Sequence, residues 1–153
     1  MYKRILVPLD GSETARFGLR EALTLAKQQK ATVCLLHVTT DFPVMLEMSS
    51  LAEFEKVRAG LHQYGQELLQ EAQRLAESLD VPAETKQREL QGGRVADVIV
   101  DEARQSACDL IAIGTHGRRG IRRALLGSDA EGVLRQSPVP VLLVRQPDSV
   151  VGA

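Results

Sequence analysis

Apolar positions follow two rhythms along this chain, short unbroken runs and helical spacings, and the two alternate. Residues 2–9, YKRILVPL, are a short apolar run closed by Asp10-Gly11-Ser12, which predicts a buried strand ending in a turn. Over residues 13–30 the positions Ala15, Leu19, Ala22, Leu23 and Ala26 share one helical face, with charges on the other. Residues 32–40, TVCLLHVTT, predict a second strand, followed by a looser stretch, 41–50, that holds Pro43, Met45, Leu46 and Met48. Phe54, Val57, Leu61, Tyr64, Leu68, Leu75 and Leu79 then step by three, four or seven. They predict an amphipathic helix over 54–79 lying on a sheet, rather than a short coiled coil, because a strand signal follows directly.

That signal, residues 82–90, alternates only weakly; Gly92-Gly93 marks a turn after it. Residues 94–107 predict a helix with Val95, Val98, Ile99 and Ala103 inward, 109–114 a strand, 128–136 a helix, and 139–145, VPVLLVR, a last strand. Five strands alternate with four helices. The expected fold is therefore α/β, a three-layer sandwich in which a five-stranded parallel sheet carries helices on both faces, since parallel neighbours need a crossover. Ligands of such sheets bind beyond the carboxyl ends of the strands, where the winding reverses. With the first strand central and the fourth beside it, Asp10 and Gly114 leave adjacent strands into one crevice. No internal repeat or linker divides the pattern, so residues 1–153 are expected to form one domain.

Composition narrows the partners. Apolar residues make up 44% and charged residues 25%, ordinary for a globular protein, and the net charge of -1 does not suit coating of nucleic acid or anionic membrane. Aromatics at 3% with no Trp argue against a base-stacking platform. Cys34 and Cys108 sit in or beside apolar runs and are expected as buried thiols, not a disulfide framework. No secretory signal or membrane-length apolar stretch is visible, so the expected compartment is the cytoplasm.

The chemistry concentrates in GTHGRRGIRRALLGS, residues 114–128, between a strand and a helix. A phosphate needs inward backbone N–H groups, little side-chain bulk, and a helix N-terminus behind it. Gly114 and Gly117 permit close approach, Gly127 leads into the helix, and Ser128 offers an N–H and a hydroxyl at its start. Arg118, Arg119, Arg122 and Arg123 add positive charge. Other roles stay open: the arginines as a solvated face, and Ser128, in the capping-box form Ser128-Asp129-Ala130-Glu131, as a cap of its own helix.

The spacing Gly114-x2-Gly117-x9-Gly127-Ser128 resembles the ATP-binding signature of the universal stress proteins. The resemblance extends to the opening ILVPLDGSE, to His37-Val38 at the end of the second strand, and to the closing SPVPVLLVR. It implies an adenine nucleotide alpha-hydrolase-like, Rossmann-like sheet of strand order 3-2-1-4-5 and a nucleotide-dependent regulatory role in the stress response. It implies nucleotide contacts from Pro8, Asp10, Val38, Gly114, His116, Gly117, Arg118, Gly127, Ser128 and Asp129. Asp10 would meet the ribose or a phosphate-bound Mg2+, and the Val38 main chain would hold adenine. The ligand would be ATP, with AMP or another adenine nucleotide as alternatives. The resemblance further implies a homodimer formed through residues 139–145, whose apolar edge needs covering. Two departures stand out: Asp129, where the family usually has a small or apolar residue, and Val139, where it often has Cys.

No Gly-x4-Gly-Lys-Ser/Thr, Cys-x-x-Cys, His-Glu-x-x-His or Gly-x-Ser-x-Gly motif occurs, and DGSET stands where related pyrophosphatases carry an SGGxDS loop. Without an evident base to position water, the chain is expected to sense nucleotide, with at most slow ATP hydrolysis. An interaction module that binds no nucleotide is the alternative.

Overall fold

The computed structural model describes residues 1–40, 50–116 and 126–147. Along the chain run β1 (Arg4–Pro8), α1 (Glu13–Gln29), β2 (Thr32–Thr39), α2 (Leu51–Ser78), β3 (Ala83–Glu89), α3 (Val95–Gln105), β4 (Leu110–Gly114), α4 (Ser128–Gln136) and β5 (Val141–Val144). The strands form one parallel sheet in the order β3-β2-β1-β4-β5. This is the expected α/β sandwich with a Rossmann-like winding. Element ends lie within three residues of the sequence expectation.

The central strands are mostly apolar because both faces are covered. Ile5 and Val7 of β1, with Val33 and Leu35 of β2, pack against Leu19 and Leu23 of α1 and Leu69 and Ala76 of α2. The intervening residues, Leu6 and Leu36, join Ile111 of β4 against Ile99 of α3 and Val133 of α4 on the opposite face. Each fully buried aliphatic side chain contributes about 1.5–3 kcal/mol. Both cysteines lie buried as free thiols, Cys34 on β2 and Cys108 just ahead of β4. The hydrogen bond with the neighbouring Cys34, and then burial, push the Cys108 thiol well above the ordinary range.

Three local features shape α1 and its contact with β4. Ser12 caps α1, its hydroxyl oxygen accepting the Ala15 N–H at 3.1 Å. Lys30 closes the same helix in the left-handed region, at φ 56°. Gly114 lets β4 approach α1 closely: a Cβ there would lie 2.8 Å from Thr14 Cγ2 and 2.9 Å from the Thr14 carbonyl oxygen.

The α2 helix forms where expected, but its buried face is rotated. Gly65, Leu69, Ala72 and Ala76 are buried, whereas Leu79 and Tyr64, expected inward, are 36% and 40% exposed. Small residues make up most of the buried face, with Leu69 the one large side chain among them. Polar β3 is an edge strand, and its Glu84, Arg88 and Glu89 are ion-paired. Arg4 bridges to Glu84 at 2.7 Å, and Arg88 reaches the buried Glu102 of α3 at 2.7 Å.

Candidate functional site

From β1 the chain winds toward β2 and β3; from β4 it winds the other way, toward β5. The adjacent ends of β1 and β4 therefore splay apart, and a cavity of about 380 Å³ opens there. One wall is apolar, built from Leu36 and Val38 of β2, Val95 and Ile99 of α3, Ile113 of β4 and Ala130 of α4. Such a slab suits the face of a flat ring. The other wall carries His37 and Thr39 of β2 with Leu61 and Tyr64 of α2.

Of the residues expected at the site, Pro8, Asp10, Val38, Gly114, His116, Gly127, Ser128 and Asp129 all line this one cavity. Gly117 and Arg118, with Arg119, Arg122 and Arg123, lie outside the described residues. Asp10 serves the turn and the cavity together. Its Oδ1 accepts the Ser12 N–H at 2.9 Å, closing the turn into α1, and the residue also faces the cavity.

The two ends of the glycine-rich loop are tied together, since the Gly127 N–H donates to the Thr115 carbonyl at 2.7 Å and the Thr115 N–H to the Val144 carbonyl at 2.9 Å. Gly127, at φ -60° and ψ 154°, is the N-cap of α4, and among the described residues no side chain caps that helix. The capping role considered for Ser128 is thus corrected: Ser128 is already the first helical residue, and Glu131 pairs instead with Arg135 at 2.8 Å. The first turn of α4, Ser128, Asp129 and Ala130, meets the cavity with the positive end of the helix dipole.

Among the described residues, two buried polar atoms on the cavity lack a partner, Thr39 Oγ1 and His116 Nε2. Thr39 is only 4% exposed, and an unsatisfied buried polar atom costs roughly 1–3 kcal/mol, so both atoms suit a ligand's polar groups. His116 holds its other nitrogen, Nδ1, 3.0 Å from Thr115 Oγ1. His37 is engaged structurally: its Nδ1 lies 2.7 Å from the Leu9 carbonyl oxygen, and its ring meets Tyr64 edge-on at 6.0 Å. Burial, and then the charge of Asp10, push the Asp129 carboxyl above its ordinary value. Among the described residues, no group of three or more His, Cys, Asp or Glu side chains is placed to hold a metal.

Thr39, Leu61 and Tyr64 were not anticipated at the site. Leu61 and Tyr64 lie on the stripe read as core, and only the docking of α2 on β2 brings them to the cavity.

Residues 1–145 match the profile of the Universal stress protein family. The chain belongs to the universal stress protein family. Among its curated relatives, universal stress protein MJ0531 of Methanocaldococcus jannaschii is 34% identical over 147 residues, covering 96% of this chain and 84% of that protein. YxiE of Bacillus subtilis is 31% identical, covering 95% and 100%. The solved structure of MJ0577, also from M. jannaschii, superposes with a TM-score of 0.85 at 28% identity, covering 97% of this chain and 99% of that one. Structures sharing the fold include a universal stress protein in complex with cAMP, at 22% identity and TM-score 0.67. An Arabidopsis thaliana family protein with AMP bound superposes at 17% and 0.69, and the Archaeoglobus fulgidus protein in complex with dAMP at 22% and 0.63. Among the described residues, no helix is long and apolar enough to cross a membrane.

Proposed function

We propose that the cavity between β1 and β4 binds an adenine nucleotide, ATP with Mg2+ foremost, and that the protein is a nucleotide-dependent regulatory module of the stress response. The observation that carries this reading is one cavity joining an apolar slab beside Val38 to the uncapped first turn of α4. The slab suits adenine, with the Val38 main chain at its edge. The α4 amides suit phosphate. Family structures with cAMP, AMP and dAMP support the class of ligand. The donor set also fits Mg2+, a hard cation that takes oxygen ligands: Asp10 and Asp129 offer carboxylate oxygens, and phosphate would offer the rest. In this reading Pro8 and Gly114 shape the floor, and His116 Nε2 donates to or accepts from the ligand.

Thermal unfolding with Mg-ATP tests it. A ligand at 100 times its Kd adds ~2.7 kcal/mol, which for a domain of this size raises Tm by about 5–10 °C. Gly127→Val, which sets a branched side chain over the α4 amides, should remove most of that rise. No rise in the wild type at any Mg-ATP concentration would remove the reading.

The proposed working unit is a homodimer joined through β5. That strand is the sheet edge, and Leu142 on it is 36% exposed. A second copy of the same strand would cover it through a self-complementary contact.

A further inference from the structure

We propose that Thr39 is a specificity-determining residue that reads the base: its hydroxyl oxygen accepts a hydrogen bond from the exocyclic amino group of the bound adenine. The inference rests on the nucleotide reading above and adds to it a side chain that recognises the base.

The strand ladder places the base. Pro8 with Leu36 is the last residue pair between β1 and β2, and the Leu9 N–H closes the pairing on the Leu36 carbonyl at 2.7 Å. Along a parallel strand, alternate residues turn both main-chain groups to the same side. Leu36 turns its carbonyl to β1, whereas the Thr39 carbonyl accepts the Leu90 N–H at 2.9 Å on the β3 side. Val38 therefore turns its N–H and carbonyl toward the space beyond the end of β1, and it lines the cavity there. The Val38 carbonyl carbon is bonded to the Thr39 nitrogen, so an amino group held by that carbonyl lies next to the Thr39 side chain. The amino group of adenine carries two N–H donors. One suits the Val38 carbonyl, and the other calls for a second acceptor.

Thr39 supplies it. The residue is buried and lines the cavity, and among the described residues its Oγ1 has no partner. A buried hydroxyl without a hydrogen bond costs stability, and a ligand that provides the bond recovers it. Strand alternation also separates the two roles. The Val38 side chain joins the apolar cluster against α3, and the Thr39 side chain stands on the other face, toward α2.

Calorimetric titration of the full chain tests the inference, with AMP and purine riboside 5′-monophosphate as the probes. The second lacks only the amino group, so whatever meets the ribose and the phosphate cancels in the ratio of the two affinities. Wild type should prefer AMP. Thr39→Val, which keeps the branched shape and removes the hydroxyl, should lower that preference about three- to tenfold, the range of one neutral hydrogen bond. Thr39→Ser retains the hydroxyl and should retain most of the preference. Thermal unfolding without ligand is an independent readout: Thr39→Val should melt no lower than wild type, because the hydroxyl it removes has no bond to lose. An unchanged preference in Thr39→Val, an equal loss in Thr39→Ser, or a lower melting temperature of ligand-free Thr39→Val would overturn the proposal while leaving the nucleotide reading standing. Failure of folded wild type to bind either AMP or ATP would remove that reading, and this inference with it.

Discussion

Asp129 stands under opposing demands. Its place in the first turn of α4 favours a negative charge by about 0.3–1 kcal/mol. Burial and the nearby Asp10 oppose that charge, and they prevail, because the carboxyl sits above its ordinary value. A carboxyl raised in the folded state binds more protons there than in the unfolded chain between the two pKa values. Stability then falls as pH rises through that window. Asp129→Asn should therefore be more stable than wild type at neutral pH, in the absence of ligand and metal, with the gap closing as pH falls toward about 4, the ordinary carboxyl range. Urea unfolding across that range measures it; a variant less stable at pH 7, or a gap independent of pH, contradicts the account. At this scale the glycine spacing was visible in the chain, and so were the polar residues that end the strands. The cap of α4 was not. Ser-x-x-Glu offers two candidates one residue apart, and the bond from the Gly127 N–H to the Thr115 carbonyl, a tertiary contact, selects Gly127.

Between elements, the decisive contacts are made by small residues. Gly114 brings β4 against Thr14 of α1, and Gly65 brings α2 over His37, where a Cβ would fall 2.5 Å from His37 Cδ2. Gly114→Ala should destabilise the fold by about 1–3 kcal/mol, since the Thr14 backbone cannot yield cheaply. Gly60, on the exposed side of α2, has open space around its missing Cβ, and Gly60→Ala should stabilise by about 0.5–1 kcal/mol. Urea midpoints moving in the same direction for both variants would refute this assignment of the two glycines. The same contacts explain why the rotation of α2 was illegible. Leu61, Leu68 and Leu75 dominate a hydrophobic pattern at a seven-residue step, while the residues that touch the sheet include Gly65, Ala72 and Ala76, which add little to such a pattern. Weakly patterned β3 has a related cause: an edge strand keeps polar residues and satisfies them with Arg4, Arg58 and the Arg88–Glu102 pair.

For the molecule as a whole, the alternation of apolar runs with helical spacings was enough to read a parallel sheet covered on both faces, because the central strands must be apolar on both sides. The strand order came with the family resemblance, and the sheet has it. The reversal between β1 and β4 then places the cavity, with no further information needed from the residues that line it. The proposed dimer belongs to this scale. Leu142→Lys should convert a dimer to monomer in sedimentation analysis with the fold intact; a dimer that persists would place the interface elsewhere.

The central claim is that the β1–β4 crevice, and not another surface, receives an adenine nucleotide. Backbone amide NMR during titration with Mg-ATP tests it most directly. The account predicts saturable shifts at Asp10, Val38, Thr115, His116 and Ser128 to Ala130, with β3 and the outer face of α2 unmoved. Shifts confined to other surfaces, or none at saturating nucleotide, would contradict it.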